Sequence, residues 1–107
     1  MLDRVGSKKL LIILLAGKEG HENLGRALHA LLYAKQARDA GIETKVIFDG
    51  AGTEWALEMA SEGNRLHALY AQLLEEEIIL GVCQYCAKAF HVADELGCAS
   101  RRVPRRV

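Results

Sequence analysis

The feature that most constrains the fold is a continuous apolar run near the start of the chain. After two lysines, residues 10–16 read LLIILLA, with no polar residue between the apolar ones. A strand with one wet face alternates apolar and polar residues, whereas a strand covered on both faces does not. The run has no small-residue cleavage site after it and is far too short to span a bilayer. The sequence therefore predicts a strand from Lys8 to Ala16 that is buried on both faces.

The rest of the chain alternates helical and strand patterns. A polar loop over residues 17–22 leads to Asn23, a predicted helix cap, and apolar residues then recur at helical spacing to about Ala40. Gly41 is the predicted left-handed residue at the end of that helix. The remaining predicted elements are a strand at 43–50, a short helix at 53–60, a helix at 66–73, a strand at 77–82 and a last helix from Gln84 to Leu96.

This alternation predicts one α/β domain, a flavodoxin-like three-layer domain with a mostly parallel sheet in the strand order 2-1-3. Three strands are few for such a sheet, and the final ten residues, CASRRVPRRV, do not have the pattern expected of a fourth strand. Pro104 removes a ladder donor, and the arginines leave little apolar surface. We therefore expect a domain over residues 1–97 without its last strand or strands, and a basic, irregular tail over residues 98–107.

The distribution of charge argues against nucleic acid as a partner, and we expect no membrane partner either. The net charge is zero, but four of the 14 basic residues lie in the last seven positions, which leaves 10 basic against 14 acidic residues in the body. Phosphate binding needs clustered lysine and arginine on the folded surface. No export signal is visible, and three cysteines do not make a disulfide framework, so the sequence predicts a cytoplasmic protein.

The candidate chemistry lies at the carboxyl edge of the predicted sheet, where the loops after parallel strands converge. Cys83 would begin the last helix, where free backbone N–H groups favour a thiolate, and Cys86 would lie one turn inside on the buried stripe. Cys83 is thus the candidate nucleophile and Cys86 the candidate resolving thiol. The candidate substrate contacts are His21, Asp49 and Tyr85. An alternative remains open, in which both cysteines are small core residues.

Metal and nucleotide sites are not predicted. Structural zinc takes four ligands, usually from two separated pairs, whereas the chain has one C-x-x-C, and His91 and Cys98 lie farther along the same segment. The glycines of DGAGTEW, residues 49–55, follow the second strand and lack the third glycine of the dinucleotide fingerprint. We therefore expect no metal and no cofactor.

Three segments resemble the DsrE/DsrF-like family: KKLLIILLAG, ALHALLYAKQARDAGIETKVIFDGAGTEW and GVCQYCAKAFHVADELG. The resemblance covers residues 8–97 and implies a flavodoxin-like parallel sheet, homo-oligomers (trimers or hexamers) and a cytoplasmic location. Relay members of that family carry sulfur as a persulfide on a cysteine just after a late strand, and Cys83 matches that position. The family usually continues into another strand or two, so we expect a truncated or altered C-terminus here that leaves a sheet edge open.

Two functions follow as hypotheses. In the first, the protein is a persulfide or thiol-exchange carrier, a possible sulfurtransferase, in which Cys83 accepts sulfur from a donor protein or passes it to an acceptor protein. In the second, it is a non-catalytic oligomeric module that binds a small ligand or a protein while its cysteines pack. The resemblance favours the first.

Overall fold

The computed structural model describes residues 8–98 and 103–107 and has an α/β fold. Its strands are β1 (Lys9–Leu14), β2 (Glu43–Phe48) and β3 (Ile79–Val82), and its helices are α1 (Gly20–Asp39), α2 (Glu54–Ala60), α3 (His67–Glu75), α4 (Gln84–Ala89) and α5 (Ala93–Cys98), with a 3₁₀ turn at Gly50–Thr53. The three strands form a parallel sheet. The predicted class, a flavodoxin-like α/β domain without its later strands, is confirmed.

The strand order in the described sheet is β1-β2-β3, so β2 lies in the centre. The expected order 2-1-3 was wrong. Ile13, Ile47 and Gly81 are neighbours across the three strands. Because both crossovers step in the same direction, right-handed connections place α1 and the α2–α3 segment on the same face. Helix α1 accordingly contacts β1, β2 and α3.

The core lies between this face of the sheet and the helices. Phe48 on β2 is fully buried, and its ring lies 6.5 Å from that of Tyr70 on α3. Alanines on the inner face of α1 let this 20-residue helix approach the sheet closely. The largest fully buried side chains are Tyr70, Phe48, Leu31, Met59, Leu73, Val46, Val82 and Thr53.

The other face of β1 is exposed. Leu14 is 4% exposed, whereas Leu11, Ile13 and Leu15 are 53%, 49% and 60% exposed. The prediction that this strand is buried on both faces was therefore wrong for the isolated chain. The physical reason is the strand order, because β1 is an edge strand of the described sheet and both crossovers pack on its opposite face. We call Leu11, Ile13 and Leu15 the apolar row.

Helix α1 begins at Gly20, three residues before the predicted cap at Asn23. The residue that precedes the helix, Glu19, has an extended backbone and makes no side-chain capping bond. Residues 20–22 are therefore helical instead of part of a loop. The predicted end is confirmed, because Gly41 adopts a left-handed φ of 88°.

The predicted last helix is broken in two, as α4 and α5. His91 has a φ of 63°, and the N–H groups of His91 and Val92 donate back to the carbonyls of Lys88 and Ala87. This is the Schellman arrangement, and the burial of Val92 and Ala87 supplies the apolar contact that accompanies it. The single helix from Gln84 to Leu96 was thus a wrong prediction.

The end of the chain pairs with β3. The N–H of Val82 donates to the carbonyl of Arg105 at 2.8 Å, and the N–H of Val107 donates to the carbonyl of Val82 at 2.9 Å. One parallel bridge, Val82 to Arg106, results. This differs from the expectation of no pairing, because Pro104 precedes the paired positions and its missing N–H is not required there. Residues 99–102 of the predicted tail lie outside the described residues.

Gly81 permits this approach of the chain end. A Cβ at Gly81 would lie 2.6 Å from the Arg105 carbonyl oxygen, closer than side chains allow.

Among the helices of the described chain, none is long and apolar enough to cross a lipid bilayer.

Candidate functional site

Two neighbouring strands bring three polar side chains together at the carboxyl edge of the sheet. Asp49 directly follows β2 and Cys83 directly follows β3, and the N–H of Cys83 donates to the carbonyl of Phe48 at 2.9 Å. A carboxylate oxygen of Asp49 and the sulfurs of Cys83 and Cys86 all lie within 4.8 Å of one another. We call these three residues the Asp–Cys–Cys cluster.

The turn at residues 49–53 fixes the position of Asp49. Its carboxylate accepts the N–H of Gly50 at 2.8 Å, and its own N–H donates to the Leu14 carbonyl at 3.0 Å. Gly52 crosses the end of β1 so closely that a Cβ there would lie 2.0 Å from the Leu14 carbonyl oxygen. The glycines of DGAGT therefore allow the turn to pass close to the end of β1. This path places Asp49 beside the cysteines.

The C-x-x-C spacing joins the two thiols through the backbone. Cys83 is the N-cap of α4, with an extended backbone, and its sulfur accepts the N–H of Cys86 at 3.5 Å. A sulfur held by an N–H donor is stabilised as an anion. Helix α4 has only six residues, so its dipole is small. The main local interaction of the Cys83 sulfur is therefore its hydrogen bond from the Cys86 N–H.

Both cysteines are half-buried. The ranking of Cys86 as more buried than Cys83 therefore stays a prediction. It was based on a continuous helical stripe through Phe90 to Ala93, and the break at residues 90–92 interrupts that stripe. Phe90 is 41% exposed.

The carboxylate makes the two thiols unequal. A hydrogen bond to Asp49 raises the pKa of the Cys86 thiol, and the neighbouring Cys83 adds to the effect, while the Gly50 N–H opposes it. In return, hydrogen bonds from Cys86 and from the Gly50 N–H lower the pKa of the Asp49 carboxyl. Cys86 thus keeps its proton beside an ionised Asp49 at neutral pH.

The remaining candidate residues lie outside the cluster. His21 lines a cavity of about 490 Å³ at the start of α1, together with Lys18, Trp55, Glu58 and Arg65. The indole N–H of Trp55 donates to the Gly17 carbonyl at 3.1 Å, so this side chain packs beneath that cavity. Tyr85 is 80% exposed on α4. The structure therefore joins Asp49 with both cysteines, but it does not bring His21 to them.

Sequence reasoning placed Asp49 and Cys83 at one edge but not in contact. The missing information was the pairing of β2 with β3, which the strand order 2-1-3 would have prevented. The available signal was the position of Asp49, directly after the most regularly alternating strand, β2.

Comparison with known proteins identifies the family. The sequence matches the DsrE/DsrF-like family over residues 8–103. It is also similar to an uncharacterized protein of Methanocaldococcus jannaschii, with 30% identity over 74 residues, which are 69% of this chain and 59% of the relative. No solved structure matches the chain significantly. The chain belongs to the DsrE/DsrF-like family.

Proposed function

We propose that the protein carries sulfur on Cys83, as a persulfide or through thiol exchange. The observation that supports this most strongly is the Asp–Cys–Cys cluster, which places two sulfurs and a carboxylate within 4.8 Å of one another at the carboxyl edge of a parallel sheet. Ligands of parallel α/β sheets bind at this edge. Family membership adds support, because a DsrE-like protein is expected to take part in sulfur relay.

The loading step is a thiol exchange at Cys83. The Cys83 thiolate attacks the outer sulfur of a donor persulfide R–S–SH, so a Cys83–S–SH persulfide forms and R–S⁻ leaves. The Cys86 N–H at 3.5 Å stabilises the attacking sulfur. Delivery is the same reaction in reverse, with the acceptor thiolate taking the outer sulfur and Cys83 leaving as the thiolate.

Cys86 supplies the alternative outcome. Its thiol can attack the inner sulfur of the Cys83 persulfide, which forms a Cys83–Cys86 disulfide and releases H₂S, with the Cys86 proton leaving on the product. The hydrogen bond to Asp49 that raises the pKa of Cys86 slows this loss, because the attacking species is the thiolate. In this account Asp49 protects the carried sulfur, and Cys86 resolves the persulfide only slowly.

The proposed partners are further copies of the chain and a sulfur-donor or acceptor protein. The apolar row exposes Leu11, Ile13 and Leu15 by about half of their surface or more, which suits burial in a homo-oligomer such as a trimer or hexamer. Tyr85, exposed one residue before Cys86, is placed for contact with a partner that docks on the cysteines. The proposed location is the cytoplasm, where thiols stay reduced.

One observation favours a second function, binding of a small anionic ligand without catalysis. The cavity of about 490 Å³ near α1 has Lys18, His21 and Arg65 in its lining, together with one carboxylate, Glu58. Lys18 pairs with Glu58 at 3.3 Å, so the cavity offers His21 and Arg65 to a ligand. Under this function, changing both Cys83 and Cys86 to alanine leaves ligand binding intact.

Mass spectrometry after exposure to a sulfur donor tests the first function. The Cys98→Ser protein, which keeps only the two clustered cysteines, should gain the mass of one sulfur on the peptide that contains Cys83. The Cys83→Ser, Cys98→Ser double variant should gain none, and Asp49→Asn should lose the added sulfur faster as H₂S. Sulfur found on Cys86 alone, or none on either cysteine, contradicts the proposal.

A further inference from the structure

The donor set of the Asp–Cys–Cys cluster suits a metal ion. Zinc bonds thiolate sulfur at about 2.3 Å and carboxylate oxygen at about 2.0–2.2 Å, so tetrahedral ligands lie on the order of 3.5–4 Å apart. The three donor atoms already lie within 4.8 Å of one another. Side-chain rotations that shift each donor atom by less than about 1 Å would bring them to the spacing of zinc ligands. We propose that Asp49, Cys83 and Cys86 bind one Zn²⁺ or a similar thiophilic divalent ion.

Two thiolates select the class of metal. Thiolate is a soft ligand that favours zinc and similar ions, whereas magnesium and calcium prefer sites made of oxygen alone. Metal binding releases the Cys86 proton to solvent, so the bound ion faces one carboxylate and two thiolates, whose negative charge compensates a divalent cation. The proposed ion is therefore not a magnesium-type ion.

Backbone groups already orient the ligands. The Gly50 N–H donates to the Asp49 carboxylate at 2.8 Å, and the Cys86 N–H donates to the Cys83 sulfur at 3.5 Å. Such secondary contacts fix the ligating atoms and tune their basicity. The ligands also come from two different loops, so a metal ion would tie the end of β2 to the start of α4.

Three protein ligands leave one tetrahedral position for an external ligand. Structural zinc sites are closed by four protein ligands, whereas sites that act on ligands keep a position open. Both cysteines are half-buried, so solvent reaches this position. Water or a small thiol is the expected occupant.

The expectation of no metal site was based on the cysteines and histidines of one segment and did not include Asp49. The proposed metal site does not require that the protein carries sulfur. Because the same Cys83 sulfur would hold either the metal or the carried sulfur, the two occupancies exclude each other.

Cobalt titration of the reduced, chelator-treated full chain tests the proposal. Co²⁺ replaces Zn²⁺ in thiolate sites and gives thiolate-to-cobalt charge-transfer absorption together with the d–d bands of a tetrahedral site. We expect saturation at one equivalent and displacement by Zn²⁺. Cys86→Ser should lose the signal, and Asp49→Asn should weaken binding by roughly tenfold or more, which corresponds to ~1.4 kcal/mol.

Two control variants match these changes. Cys98→Ser removes the third thiol, and Glu62→Gln removes an exposed carboxylate in the loop before α3, so both should bind as the unchanged protein does. Circular dichroism confirms that each variant is folded, and a misfolded Asp49→Asn is replaced by Asp49→Ser in the same titration. The proposal is overturned if the unchanged protein gives no charge-transfer band, or if the folded Asp49 variant binds as tightly as the Glu62→Gln control.

This titration contains no sulfur donor, so its failure is distinct from failure of the sulfur-carrier function. A protein that binds Co²⁺ but never gains sulfur at Cys83 supports the metal site and contradicts the carrier. A protein that gains sulfur but gives no cobalt signal does the reverse.

Discussion

Replacing Gly52 by alanine should strongly destabilise the protein, because the backbone at this position approaches β1 too closely for a side chain. A Cβ would lie 2.0 Å from the Leu14 carbonyl oxygen and 2.7 Å from the carbonyl carbon. Real Cβ contacts stay beyond 3.0 Å, so the turn and the strand end must separate by about 1 Å. Both contacting groups are backbone, and no flexible side chain can move aside.

The expected cost combines two effects. Overpacking of a tight site costs about 1–3 kcal/mol. The separation also stretches the bond from the Asp49 N–H to the same Leu14 carbonyl, now 3.0 Å long, which adds ~0.5–1.5 kcal/mol. The combined loss of about 1.5–4.5 kcal/mol should lower Tm by roughly 6–36 °C, at about 4–8 °C per kcal/mol for a domain of roughly 100 residues.

Gly25→Ala is the matched control. Gly25 lies inside α1, and a Cβ there would have no neighbour within 4 Å. Alanine in an open helix position should stabilise the protein by about 0.5–1 kcal/mol. Thermal and urea unfolding followed by circular dichroism measures both variants. A Gly52→Ala protein within ~0.5 kcal/mol of the unchanged protein would refute the close crossing of the turn over β1.

Three further predictions concern the apolar row and the core. If the apolar row forms the proposed homo-oligomer interface, Ile13→Glu should lower the particle mass in light scattering, because Ile13 is 49% exposed in the single chain. An unchanged mass would exclude the row as an interface. Trp55→Phe should cost ~0.5–1.5 kcal/mol by losing its bond to Gly17, and unchanged urea unfolding would show that the bond contributes nothing. Leu73→Ala should cost about 2–5 kcal/mol, since Leu73 is fully buried, and a loss below ~1 kcal/mol would contradict that packing.

The sequence specified the elements better than their arrangement. Strand and helix patterns are local, so β1, β2, β3 and α1 could be predicted from apolar spacing. Strand order depends on non-local pairing, which no local pattern encodes, and the expected order 2-1-3 was therefore wrong. The exposure of the apolar row follows from that same order.

Helix ends were predicted where glycine marks them and missed elsewhere. Gly41 ends α1 with a left-handed φ, as expected. The same conformation at His91 ends α4, and histidine carries no comparable signal. The break at His91 ends the predicted buried stripe after α4, so the residues beyond it no longer continue the helical spacing that began at Gln84.

The sequence predicted which edge of the sheet holds the candidate site, but not which side chains are in contact there. Parallel-sheet topology places the loops after strands at one edge, so Cys83 and Asp49 were expected near each other. The contact between them depends on the pairing of β2 with β3 and on the turn through Gly52. His21 was expected to share the site, but the early start of α1 at Gly20 places it in a different cavity.

The rate of alkylation at each cysteine, measured against pH in metal-free buffer, tests the inequality of the two thiols most directly. Alkylation requires the thiolate, and the hydrogen bond to Asp49 raises the pKa of Cys86, so Cys86 should begin to react only at higher pH. Asp49→Asn removes the negative charge and should shift the Cys86 profile to lower pH. We expect peptide mass spectrometry to show Cys83 modified first at neutral pH. Equal rates at the two cysteines, or a Cys86 profile unchanged in Asp49→Asn, would contradict the account.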